Sequence, residues 1–266
     1  MREAQKYEDL FFTDDFMFCK IMENDEHICK SVIEILLGIQ VERIDYANRQ
    51  ESIAMDFGSR GIRLDVVVKG DGKIFNLEMQ TTMENDLPKR ARYYQAMMDL
   101  DFLEKGKEYE TLPESFVVFI CTSDPFGCGL PRYTVCQTCM ENSAASEKID
   151  DKSRKVYYNA RAWKEQAGQD AEVHAFLKFL ATRKAESKLT GEIMEAVLQA
   201  RRNEPWRKEF VHARELRERG RKEGYEEGRA EGYEEGRAIA QAQLEKGREK
   251  IAELEARIAE LERLQN

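Results

Sequence analysis

An α/β fold, with a mixed central sheet flanked by helices and a long charged helical tail, follows from three features of the sequence. Ile62–Gln80, IRLDVVVKGDGKIFNLEMQ, alternates as two strands around an Asp-Gly turn. Ser115–Cys121, SFVVFIC, is apolar throughout, as expected of a central strand buried on both faces. Segments with helical apolar spacing bracket these strands, and the helical signal then runs to the terminus with little apolar content. Residues 1–200 are read as one compact domain and 201–266 as the tail, with the boundary falling somewhere in 200–215.

The bulk numbers fit that division. The chain has 266 residues, 42% of them hydrophobic and 35% charged, which is enough for one packed domain and an extension. Its formal net charge of -9 argues against a surface permanently coated by nucleic acid, although a metal site and the tail both contribute acids. No segment approaches the ~20 apolar residues a membrane span requires, so a cytoplasmic protein with no membrane partner is expected. Six cysteines are too few for a disulfide scaffold at this length.

In chain order, Thr13 can cap a short helix starting at Asp14, and Asp25 a second whose stripe is Ile28, Val32, Ile35 and Leu36, ended by Gly38. Val41–Asn48 and Ile53–Phe57 read as strands ahead of the hairpin. Asn85 or Asp86 caps a helix to about Glu104, with Pro88 in its tolerant first turn. After the central strand, Asp124–Gly127 is a loop, Tyr133–Cys136 and Lys155–Tyr158 are short strands, and Asp170–Ala181 and Gly191–Ala200 are helices. The tail repeats EGYEEGRA without change over 223–230 and 231–238, and Gly220, Gly224, Gly228, Gly232 and Gly236 recur every four residues. Each glycine costs a lone helix up to about 1 kcal/mol, so this row needs close helix packing or dense Glu–Arg pairing to stay helical. Leu244, Ile251, Leu254, Ile258 and Leu261 follow a seven-residue pattern, broken by Gly247, that suits a short coiled coil and a homo-oligomer. A frayed, solvated charged helix is the other reading.

Chemistry concentrates in the hairpin. With Asp71-Gly72 at the corner, Leu64, Val66 and Val68 face Met79, Leu77 and Phe75. Asp65 then falls opposite Glu78, with Gln80 two residues on along the same face. Like charges directly opposite are unfavourable unless something positive lies between them, and a divalent metal ion is the obvious candidate. Asp65, Glu78 and the Met79 carbonyl supply the hard oxygen ligands that Mg²⁺ prefers. A solvated sheet face is the plainer account of the same acids. The Cys136-x-x-Cys139 pair and three scattered histidines match no secure metal spacing.

Several segments in order resemble the Rpn family of recombination-promoting nucleases and transposases, within the PD-(D/E)XK nuclease superfamily. They are 13–21 (TDDFMFCKI), Arg63-Leu64-Asp65 followed by Gly72, 76–80 (NLEMQ), 89–95 (KRARYYQ), 124–127 (DPFG) and Tyr158-Asn159. The resemblance covers roughly residues 10–180 and the glycine-punctuated tail. It implies a restriction-endonuclease-like domain that hydrolyses DNA phosphodiester bonds with Mg²⁺ or Mn²⁺, linked to recombination or mobile elements. It makes Asp65 and Glu78 the metal-binding acids and puts Gln80 where the wider superfamily usually has lysine. An amide orients water or touches phosphate but carries no full positive charge. The resemblance also points to Asp15, whose other role is helix capping, and to Arg90 and Gln95. Arg90 can meet a phosphate or pair with the acids, and Gln95 can hold a water or a base edge. Lys89 and Arg92 are DNA contacts or plain surface. The rival readings are a catalytically degenerate module that binds DNA or protein, and an oligomerising scaffold that acts through its tail.

Overall fold

The computed structural model describes residues 6–46, 64–103, 105–165 and 170–264. Two helices come first, α1 (Asp15–Asn24) and α2 (Glu26–Leu37). The α2 start follows the expected chemistry, since the Asp25 carboxylate accepts from the Ile28 N–H at 3.0 Å. Gly38 ends α2 in the left-handed region at φ 67°, where a side chain would be strained. The α1 start corrects the expectation of a Thr13 cap. The cap position belongs to Asp14, whose carboxylate turns back to accept from the Phe11 N–H at 2.6 Å.

Six strands form one sheet: β1 (Asp45–Tyr46), β2 (Val66–Gly70), β3 (Lys73–Gln80), β4 (Glu114–Cys121), β5 (Arg132–Val135) and β6 (Ser153–Asn159). Their spatial order is β1-β2-β3-β4-β6-β5. The β3-β4-β6 core is parallel and the remaining neighbours are antiparallel, so the sheet is mixed. Helix α3 (Leu87–Phe102) makes the crossover that the parallel β3–β4 pair requires. The expected strand 41–48 is present only as β1 among the described residues, and the strand expected at 53–57 lies outside them. The chain at 41–43 runs against the hairpin instead of pairing. A Cβ on Gly70 would lie 2.6 Å from the Arg43 carbonyl oxygen and 2.9 Å from Val41, so only glycine fits there.

The hairpin has the register read from the sequence over its ladder, with Val66 opposite Leu77, Val68 opposite Phe75 and Gly70 opposite Lys73. Leu64, expected on the Val66 face opposite Met79, instead lies beyond the ladder and packs, like Val67, on the α3 side. Asp71 and Gly72 both have positive φ, 49° and 72°, as a two-residue primed turn demands. One sheet face packs under α3: Ile74, Val117, Phe119, Cys121 and Tyr157 meet Leu87, Ala91, Tyr94 and Met98. Burying each such large side chain contributes about 1.5–3 kcal/mol. The other face carries buried Val66, Val68, Phe75, Leu77, Phe116, Val118 and Ile120. Tyr158, also buried, donates from there to the Leu36 carbonyl of α2. Helices α4 (Ala171–Thr182) and α5 (Lys188–Ala200) complete the layer with α1 and α2. Helix α5 starts three residues before the expected Gly191 because Ser187 and Thr190 form a reciprocal capping box.

The chain divides into two compact units, Met1–Arg207 and Lys208–Asn266. Helix α6 (Glu204–Leu264) is unbroken through the whole glycine row. No described helix is long and apolar enough to cross a membrane.

Candidate metal and phosphate site

The β2–β3 ladder stops at Val66–Leu77, and side chains take over beyond it. The Asp65 N–H donates to Glu78 Oε1 at 3.1 Å, and the Met79 N–H donates to Asp65 Oδ2 at 3.0 Å. Each acid is thus clamped to the backbone of the opposite strand. In an extended strand the N–H and C=O of one residue point to the same neighbour, so the Met79 carbonyl is turned toward the Asp65 side as well.

Glu78 is 3% exposed. Burial pushes its carboxyl well above the usual carboxylate range, and the Asp65 charge pushes the same way. The Asp65 N–H, the Asn76 amide and the Arg90 charge oppose this without cancelling it. Asn76 lies two residues earlier on the same face, wholly buried, and neither of its polar atoms has a well-formed hydrogen bond.

Gln80 ends β3 beside these acids. Its Nε2 donates to the Thr82 carbonyl at 2.7 Å and to Thr82 Oγ1 at 3.0 Å, which turns Oε1 toward α3. Arg90 Nη1 donates to that Oε1 at 3.1 Å and to Glu84 Oε2 at 2.5 Å. Arg90 Nε and Nη2 both donate to the Tyr94 hydroxyl, at 3.3 and 2.9 Å. The guanidinium carbon also lies 5.6 Å from the Phe119 ring centre, so aromatic faces and the Tyr94 hydroxyl hold it against the sheet. Burial raises the Tyr94 phenol pKa, and the Glu78 charge adds to the rise. A small cleft opens beside Gln80, lined in part by Thr82, Glu84, Cys121, Ser123 and Pro125.

The other sequence candidates sort by helix phase. Lys89 and Arg92 are exposed on the outer face of α3, whereas Arg90 and Gln95 turn toward the sheet. Gln95 Nε2 donates to Ser115 Oγ at 2.7 Å and Asp99 Oδ1 at 2.9 Å, tying α3 to β4. Asp15 is exposed at the first residue of α1, where its charge suits the positive end of the helix. Asp124 organises its own loop, accepting from the N–H groups of Phe126, Gly127 and Gly129 and from the Tyr133 hydroxyl. Sequence reading gave no role to Asn76, Thr82 or Glu84. Only Asn76 carried a signal, because strand alternation puts it on the Glu78 face.

Among the described residues, no group of three or more His, Cys, Asp or Glu side chains is placed to hold a metal ion. The candidate donor set is therefore two carboxylates and a carbonyl. Its chemistry fits a hard divalent cation, since two acids and a carbonyl meet at one end of the hairpin and the Asp65 charge adds to the rise of the Glu78 pKa.

A mixed central sheet flanked by helices, with a long C-terminal helix, defines a mixed α/β protein. The sequence pattern of the PD-(D/E)XK nuclease family transposase matches residues 12–227, and the chain belongs to that family. No curated protein and no solved structure matches it.

Proposed function

We propose that this protein is a Mg²⁺- or Mn²⁺-dependent DNA endonuclease of the Rpn type, acting in recombination or on mobile elements. Residues 1–200 form its nuclease domain. The observation that carries the reading is the reciprocal clamp between Asp65 and Glu78, with the Arg90 guanidinium bonded to Gln80 beside it. Asp65, Glu78 and the Met79 carbonyl would hold the ion. When bound, the cation supplies the charge that lowers the pKa of an attacking water and steadies negative charge on the phosphate oxygens.

The remaining work falls to this chain's own groups. Arg90 supplies the permanent positive charge that the superfamily's lysine provides elsewhere, and its planar fork suits a phosphate oxygen. Gln80 orients that guanidinium through Oε1 and, once Arg90 engages phosphate, can hold the attacking water. Tyr94 fixes Arg90 from the other side. Lys89 and Arg92, on the exposed face of α3, contact the DNA backbone and set register without reading sequence.

One observation favours a second reading, a relative that binds DNA without cutting it: Glu78 is only 3% exposed. Supercoiled plasmid incubated with protein and Mg²⁺ or Mn²⁺ separates the two. The nuclease reading expects nicking or linearisation that Asp65→Ala and Glu78→Ala abolish while the far-UV circular dichroism is unchanged. Plasmid that is retarded in a gel but never cut supports the second reading, and equal cutting by all three proteins rejects the assigned site.

A further inference from the structure

The second unit presents an exposed apolar face on its helix. Leu244, Ile251, Leu254 and Ile258 lie along one side of α6 and are 66%, 59%, 53% and 55% exposed. Helix α6 has 61 residues and so is about 90 Å long. Upstream, a Cβ placed on Gly220, Gly224, Gly228, Gly232 or Gly236 would meet no atom within 4 Å. Among the described residues no packing against these glycines offsets the helix stability they remove.

We propose that α6 pairs with α6 of a second copy of this chain, with the two helices parallel and in register. Charge placement selects both the occupant and the direction. On the apolar segment, Lys250 flanks the seam on one side and Glu255 on the other. In a parallel pair these positions face across the seam, so Lys250 of each helix meets Glu255 of its partner. In an antiparallel pair each flank faces its own kind, lysine toward lysine and glutamate toward glutamate.

The glycines, four residues apart, turn about 160° around α6 between Gly220 and Gly236, so the direction rests on the apolar segment. Since both helices then start at the same end, chain connectivity tethers two copies of the first unit there.

Sedimentation equilibrium of the full-length chain across concentration and salt tests this. A reversible dimer is expected, weakened by salt. Lys250→Glu places like charges across a parallel seam, so it raises the dimer dissociation constant by about threefold to tenfold, and Lys250→Glu with Glu255→Lys restores it. Leu254→Asp abolishes the dimer with the helix content of the first unit unchanged. A dissociation constant that Lys250→Glu leaves unchanged, as exchange of one like-charge contact for another would, overturns the parallel arrangement. A wild-type monomer at every concentration, or a dimer unaffected by Leu254→Asp, overturns the interface.

Discussion

Arg90 Nη1 lies 3.1 Å from Gln80 Oε1, which joins the helix after the acidic strand to the last residue of that strand. Gln80 is neutral, so the full positive charge at this end of β3 comes from α3.

That relationship predicts a rescue. Arg90→Ala lowers DNA cleavage by about 10²–10³-fold, the loss expected when a preorganised charge is removed from a developing anion. Gln80→Lys in the same protein puts a cation on the strand and recovers at least tenfold of that loss. Cleavage rates of wild type, Arg90→Ala and the double variant check this. A double variant no better than the single one counts against the exchange.

Tyr94→Phe isolates positioning from charge. The ring remains under Arg90 while the acceptor for Nε and Nη2 is lost. Cleavage falls by about tenfold and thermal stability changes by less than about 1 kcal/mol, since a single hydrogen bond contributes about that much net. A cleavage rate equal to wild type shows that Tyr94 does not steer the guanidinium.

Glu78 gives stability a pH dependence whose sign is fixed. Its folded-state pKa lies above the ordinary value of 4.5, so between the two the native protein binds more protons than the unfolded chain. Its favourable contribution is complete below about pH 4.5 and is lost as pH rises through the raised folded value. Urea unfolding of metal-free protein from pH 4.5 to 8 shows the decline, and Glu78→Gln flattens it. Added Mg²⁺ stabilises more at pH 8 than at pH 5, since the ligand must be ionised. Wild type and Glu78→Gln with the same slope exclude Glu78 as the source.

Asn76 sets stability against function. Its buried amide lacks well-formed partners, so Asn76→Leu stabilises the fold or leaves it unchanged, within about 1 kcal/mol. Its pull on the Glu78 carboxylate disappears, and the pH midpoint for cleavage moves upward. A midpoint that stays in place confines Asn76 to packing.

The hairpin was readable because its determinants are local. Two-residue alternation and an Asp-Gly corner fix register as far as Val66 and Leu77, and beyond it side-chain bonds bring Asp65 to Glu78. The Gln80–Arg90 bond was not readable, because it depends on where the 81–86 loop sets the phase of α3. That phase also separates Arg90 from Lys89 and Arg92, three cations that look alike in sequence. Gln95 gave no sign that its amide would tie α3 to Ser115, a residue 20 positions on that only the crossover brings near. Thr13 and Asp14 were misordered because Asp14 turns back to Phe11, a contact inside the preceding turn. The glycine row made a continuous α6 look improbable, since propensity counts the cost of each glycine and sees no partner.

On the proposed function, Asp65 and Glu78 share one divalent cation. Titration of full-length protein with Mn²⁺, followed by the electron paramagnetic resonance signal of free ion, tests this without DNA or turnover. The account predicts one tight ion per chain in wild type, at least tenfold weaker binding in Asp65→Asn and Glu78→Gln, and unchanged binding in Lys89→Ala. Mn²⁺ binding that is absent in wild type, or equal in all four proteins, contradicts it.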